Sequence, residues 1–188
     1  KQAKGQGFYS TADSTLYLFR SFSAGQETTF PTLFHEGTHQ MLFMRCNQDP
    51  KTVRGPQFWI TESLTCLMEG LEWRDNVLVV EHPPRPRVAN FQRLKAEGHL
   101  LPLAQFFSLV QAGYESADLY DQGTALFWCM MRRGKDKDAT RFLGFVKGVL
   151  SGRPAGDVEK NAYPASLAAA ADGYADWFTR AFAAPGGK

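Results

Sequence analysis

Thr32-Leu33-Phe34-His35-Glu36-Gly37-Thr38-His39-Gln40-Met41-Leu42-Phe43 is the stretch on which the reading of this chain turns. In an α-helix, residues four apart stand one turn apart on the same side. His35 and His39 would then present both imidazoles to one metal ion. Glu36, next along from His35, brings a carboxylate toward the same ion without ligating it. A water on Zn²⁺ needs a base in that place to become an attacking species. The apolar neighbours Leu33, Phe34, Met41, Leu42 and Phe43 predict a helix buried in the core. Two histidines and a glutamate buried without a partner would cost several kcal/mol, roughly, and a metal removes that cost. The plainer alternative is that these are satisfied structural side chains.

Composition sets the outer limits. The chain has 188 residues, enough for one domain with a substantial core. Its 44% hydrophobic and 21% charged content is that of an ordinary globular protein. A net charge of +2 gives no electrostatic case for nucleic acid or an anionic membrane. No apolar run approaches the roughly 18–20 residues that a bilayer span requires. The three cysteines, Cys46, Cys66 and Cys129, form no CxxC pair and argue against a disulfide scaffold. They leave the redox compartment open, with an extracytoplasmic or secreted location slightly favoured. The chain opens at Lys1 with no Met and no signal-like segment, and so reads as a domain excised from a longer chain.

Outward from the motif, the pattern is mostly helical. Gly7–Ser10 and Thr15–Arg20 flank a turn at Thr11–Ser14 and predict a β-hairpin. Ser21–Glu27 reads as a loop. The motif helix should run from about Phe30 to Arg45, with Pro31 in its first turn. A second helix is predicted over Phe58–Gly70, and a second hairpin over Glu72–Glu81, turning at Asp75-Asn76. The prolines of His82–Pro86 argue against regular structure. Further helices are expected over Arg87–Glu97, Pro102–Val110, Ala117–Arg133, Asp136–Leu150 and Ala165–Ala183, the last broken at Gly173. Ser151–Pro164 reads as a connection. Ala117–Arg133 is apolar nearly all round at its middle, which predicts a buried helix. The fold class expected is α+β, mostly helical, in a single domain spanning residues 1–188.

A catalytic zinc takes three protein ligands and keeps a position for water. Glu62 is the best third ligand. It lies 23 residues after His39, on the next helix, on a face shared by Trp59, Glu62, Cys66 and Glu69. A carboxylate on a largely apolar helix needs a partner. Glu69, His82 and His99 are weaker candidates, the two histidines because they fall in loops.

At this point the chain resembles a family. His35-Glu36-x-x-His39 followed by Trp59-Ile60-Thr61-Glu62-Ser63-Leu64-Thr65 is similar to the gluzincin metallopeptidases, whose second motif reads Trp-Leu-x-Glu-Gly-x-Ala. The closest layout is that of short bacterial gluzincin-like domains of unknown function. The resemblance runs from Gly7 to about Arg133 and implies a zincin-like fold. It implies Zn²⁺ bound by His35, His39 and Glu62, with Glu36 as general base. It also implies that Glu69, seven residues past the third ligand, orients a ligand. Tyr120-Asp121-Gln122-Gly123 resembles the Tyr-x-x-Gly motif of the aminopeptidase branch. This implies that Tyr120 stabilises the oxyanion, with Tyr114 in reserve. Two departures stand out. The Gly-x-Met-Glu-Asn segment that holds a substrate's amino terminus is missing, so exopeptidase action does not carry over. Ser63 also stands where the family usually has Gly.

The function expected is a zinc-dependent metallopeptidase acting on a peptide or protein. An extended substrate would add to the edge of the strand Leu16–Arg20. One rival is a catalytically silent zinc-binding module that works as a scaffold. Another is a helical domain whose motif is accidental.

Overall fold

Helix α5, Ala117–Arg132, runs through the middle of the molecule, and every residue from Asp121 to Met130 is buried. That follows from its sequence, because Ala125-Leu126-Phe127-Trp128-Cys129-Met130 leaves no polar face to turn toward water. Ser116 caps it by accepting a hydrogen bond from the Asp118 N–H at 3.2 Å. The computed structural model describes residues 7–19, 22–23, 26–27, 29–46, 55–113, 116–133, 135–163 and 166–183. The fold is α+β and mostly helical, with small β elements. Tyr114 lies outside the described residues.

Three antiparallel hairpins are present among the described residues. Strands β1 (Gly7–Ser10) and β2 (Thr15–Leu18) pair with Tyr9 opposite Leu16. Strands β3 (Phe22–Ser23) and β4 (Gln26–Glu27) form a second, very short pair where a loop was predicted. Strands β5 (Glu72–Arg74) and β6 (Val77–Val79) form the third. Its turn residues Asp75 and Asn76 have φ of 48° and 63°. Two positive φ values in a two-residue loop match the twist of the flanking strands, and Asp and Asn tolerate them.

Helix α1 (Thr29–Cys46) carries the motif, and α2 (Phe58–Met68) follows it. Helix α2 lies between α1 and α5 and is buried along almost its whole length. Its Trp59 meets Phe106 and Phe107 of α4 (Leu103–Ser108). Helix α3 (Arg85–Ala96) begins inside the proline run. Pro84 stands at its N-cap and Pro86 in its first turn, where a missing N–H is harmless. The expectation of no regular structure up to Pro86 overlooked that allowance. Beyond α5 come α6 (Asp136–Leu150), α7 (Ala155–Ala162), α8 (Leu167–Ala171) and α9 (Tyr174–Ala181). Helix α7 sits in the stretch expected to be a connection. Val158 and the following Tyr163 are buried in the core, and that packing outweighs the weak helix propensity of its Gly and Asn. Gly173, at φ 68°, separates α8 from α9 as the sequence suggested.

Helix α1 differs most from its expectation. Only Thr38 and Leu42 are buried along it, while Phe30 is 63% and Met44 66% exposed. It is covered by α2 on one side and by β1 and β2 on another, and its remaining face is open. A run of apolar residues cannot by itself distinguish a buried helix from one covered on two sides. All three cysteines are free thiols. Among the described residues, no helix is long and apolar enough to cross a membrane.

Candidate metal centre

The turn of α1 that holds His35 and His39 faces the middle of α2. His39 Nε2 lies 3.3 Å from Glu62 Oε1, and His35 Nε2 lies 3.5 Å from Glu62 Oε2. One donor atom from each of the three residues falls within 4.8 Å of the other two. Tetrahedral ligands at about 2.1 Å from a zinc ion stand about 3.4 Å apart, so this spacing suits one ion. Glu62 is 6% exposed and has both imidazoles as neighbours, which supplies the partner that its apolar helix demanded. The donor set of two nitrogens and one carboxylate oxygen is one that zinc accepts at catalytic sites.

Without a metal, His35 and Glu62 shift each other's protonation. Burial alone would lower the His35 pKa, but its contacts with Cys66, Glu62 and Glu69 outweigh that and lift it to about 12. Burial likewise pushes Glu62 up, and the hydrogen bonds and charges of His35 and His39 overcome it, holding the carboxyl at about 2. A proton on His35 thus neutralises this carboxylate pocket as a cation would.

Glu36 stands beside the cluster rather than in it. Its Oε2 accepts the backbone N–H of Tyr9 at 3.0 Å. Burial raises its pKa, against the pull of His35 and His39. The Tyr9 contact places β1 beside Glu36 on the motif helix. Tyr120 is half-buried at the start of α5. Its phenol is lifted to about 12, first by burial and then by the negative charge of Glu62, which sets it near the cluster. His82 and His99 lie elsewhere: His82 is beside Glu72 and Pro83, and His99 is exposed next to Glu97.

Behind the cluster, His35 Nδ1 lies 2.7 Å from Glu69 Oε1. An ionised carboxylate only accepts, so the Nδ1 of His35 carries the proton. Glu62, Cys66 and Glu69 all face His35, as their 4 and 3 spacing on one helical face predicted. Cys66 Sγ is 3.9 Å from His35 Nδ1, and Thr65 Oγ1 is 3.3 Å from His35 Nε2. Cys66 and Glu69 form a second group with His35 that spans a metal-like distance. That group is a poor metal site. Arg87 already uses both oxygens of Glu69, at 2.6 and 2.7 Å, and burial pushes the Cys66 thiol up, toward its protonated form.

Arg87 and Asp121 were missed in the sequence. Arg87 Nη1 donates to Asp121 Oδ1 at 2.8 Å, and Asn90 donates to the other oxygen. The available signal was Asp121 itself, an acid inside an apolar helix, which demands a cation just as Glu62 does. Close packing where α2 crosses α5 calls for a glycine, and a glutamine of α5 secures the segment before α4. A Cβ on Gly123 would lie 2.4 Å from Ser63 Oγ, so Gly123 leaves room for that serine. Gln122 holds the backbone of Leu101 by accepting its N–H at 3.0 Å and donating to its carbonyl at 2.8 Å.

No protein-family model, curated protein or solved structure matches this chain.

Proposed function

We propose that this protein is a zinc-dependent metallopeptidase of gluzincin type, cleaving a peptide bond in a peptide or protein. The observation that carries the reading is the convergence of His35 Nε2, His39 Nε2 and the Glu62 carboxylate at 3.3 and 3.5 Å. A zinc ion held by His35, His39 and Glu62 would make a water acidic near neutral pH and polarise a carbonyl. Glu36 takes the proton of the attacking water and passes it to the leaving amine. A carboxyl whose pKa is raised by burial is closer to the operating range of such a base. Tyr120, kept protonated to about pH 12, donates to the oxygen on which negative charge develops. Glu69 orients His35 by accepting its Nδ1–H.

A second reading, a silent zinc module that serves as a scaffold, is favoured by one contact. The Glu36 carboxylate is already engaged by the Tyr9 N–H. Two variants decide. Glu36→Gln is expected to keep stoichiometric zinc and lose activity about 10²–10⁴-fold against a mixed peptide library. Equal cleavage by wild type and Glu36→Gln would remove Glu36 as the base. No cleavage by a zinc-loaded wild type would favour the scaffold. Glu62→Ala is expected to lose zinc, and retained stoichiometric metal would defeat its role as ligand.

A further inference from the structure

We propose that Arg87 is a positioning residue for the metal centre, acting through Glu69 to fix which nitrogen of His35 is offered to the ion. This inference rests on the reading that His35, His39 and Glu62 bind zinc. Glu69 follows the last residue of α2 and occupies its C-cap, so the plane of its carboxylate is set by partners outside the helix. Arg87 supplies the restraint. Its Nε and Nη2 grip Glu69 Oε2 and Oε1 at 2.7 and 2.6 Å, a two-pronged contact that sets the carboxylate plane. The third nitrogen, Nη1, is fixed on Asp121 Oδ1 at 2.8 Å. Asn90, one turn along α3 from Arg87, donates to the remaining oxygen of Asp121. The guanidinium is therefore held between the end of α2 and the start of α5, with all three nitrogens engaged.

Glu69 Oε1 remains 2.7 Å from His35 Nδ1. With the carboxylate plane set, the Nδ1 proton stays in place, and Nε2, on the side of Glu62, is the nitrogen left to exchange its proton for a metal ion. A lysine could supply the charge but not the fork, since its ammonium is a single point of charge. Asp121 adjoins Tyr120 in the chain, so the same guanidinium also ties down the first turns of the helix that carries the phenol.

The test compares zinc affinity in wild type, Arg87→Met, Arg87→Lys, Glu69→Gln and the Arg87→Met/Glu69→Gln double variant. A chromophoric chelator competes for the metal, and circular dichroism checks the fold. Nitrogen-correlated NMR of the zinc-loaded proteins follows the His35 Nδ1 proton. Arg87→Met and Glu69→Gln are each expected to weaken zinc binding about 10- to 100-fold. The double variant should be no weaker than the worse single, because both changes remove one function. The Nδ1 resonance should shift or vanish in Arg87→Met. Arg87→Lys should fall between wild type and Arg87→Met. Losses that multiply in the double variant would overturn the proposal, as would an unchanged Nδ1 resonance. If Arg87→Met does not fold, Arg87→Lys decides, and wild-type affinity with an unshifted resonance overturns it. A folded wild type that takes up no zinc would instead overturn the metal reading beneath it.

Discussion

Glu62, Cys66 and Asp121 project from α2, buried along almost its whole length, and from the buried middle of α5. His35, Glu36 and His39 stand on α1, where only Thr38 and Leu42 are buried. The rear half of the centre thus takes its geometry from core packing. The front half is tied on by polar contacts: His35 to Glu69, Glu36 to Tyr9, and Gln40 to the Ser14 carbonyl at 3.4 Å. Packing is stiff and shape-specific, whereas such contacts are individually modest. Changes in the rear should therefore appear first as lost stability, and changes in the front as lost chemistry with the fold intact.

The steepest challenge to this contrast is Phe127→Ala. The ring is 1% exposed and meets Phe142 at 4.9 Å. Its removal should destabilise the protein by about 3–5 kcal/mol in urea unfolding. A loss below 1 kcal/mol, roughly, would mean that the rear is not the rigid half. Next is the contact at the helix crossing. Gly123→Ala alone should cost about 1–3 kcal/mol, because its Cβ meets Ser63 Oγ. Adding Ser63→Ala removes that clash and also a buried hydroxyl that has no hydrogen-bond partner among the described residues. The double variant should return to within about 1 kcal/mol of wild type, helped by alanine's better helix propensity. Equal destabilisation in the single and double variants would show that the crossing is set elsewhere.

A pH titration probes the seam between the halves in zinc-free protein. The Glu62 pKa falls on folding from 4.5 to about 2, so its contribution is present above pH 4.5 and is lost as pH drops toward 2. The His35 pKa rises on folding from 6.5 to about 12, so its contribution is present below pH 6.5 and is lost as pH climbs toward 12. Stability from this cluster should therefore plateau between pH 4.5 and 6.5. Glu62→Gln should remove the acid flank and reduce the alkaline one, which Cys66 and Glu69 still support, and unchanged flanks would break the assignment. At the small end, Met44→Ser on the open face of α1 should move stability by no more than about 0.5 kcal/mol. A larger loss would mean that α1 is covered after all.

Much of this was legible because several residues carry strong local constraints. The i, i+4 histidines, the Asp75-Asn76 turn and the Gly173 break each have a short-range physical cause that the chain states directly. The face shared by Glu62, Cys66 and Glu69 was equally readable, since helical periodicity alone puts them together. What escaped was non-local. Arg87 sits in a proline-flanked basic stretch, and nothing near it in sequence announces two carboxylates at 18 and 34 residues' distance. The openness of α1 escaped because an apolar run does not say how many sides are covered. Helix α7 escaped because its order comes from Val158 packing into the core, not from its own propensity.

The contact between Ser63 and Gly123 has a meaning beyond fit. Ser63 is the neighbour of Glu62, and Gly123 lies three residues past Tyr120. One point of touch thus works as a gauge block between the two helices, fixing how far the zinc-ligand candidate stands from the candidate oxyanion donor. A bulkier pair would spread the gap and a smaller pair would close it, moving carboxylate and phenol as a set. In this molecule, the reach of the chemistry would be tuned by the size of a hydroxyl on the residue next to the ligand candidate.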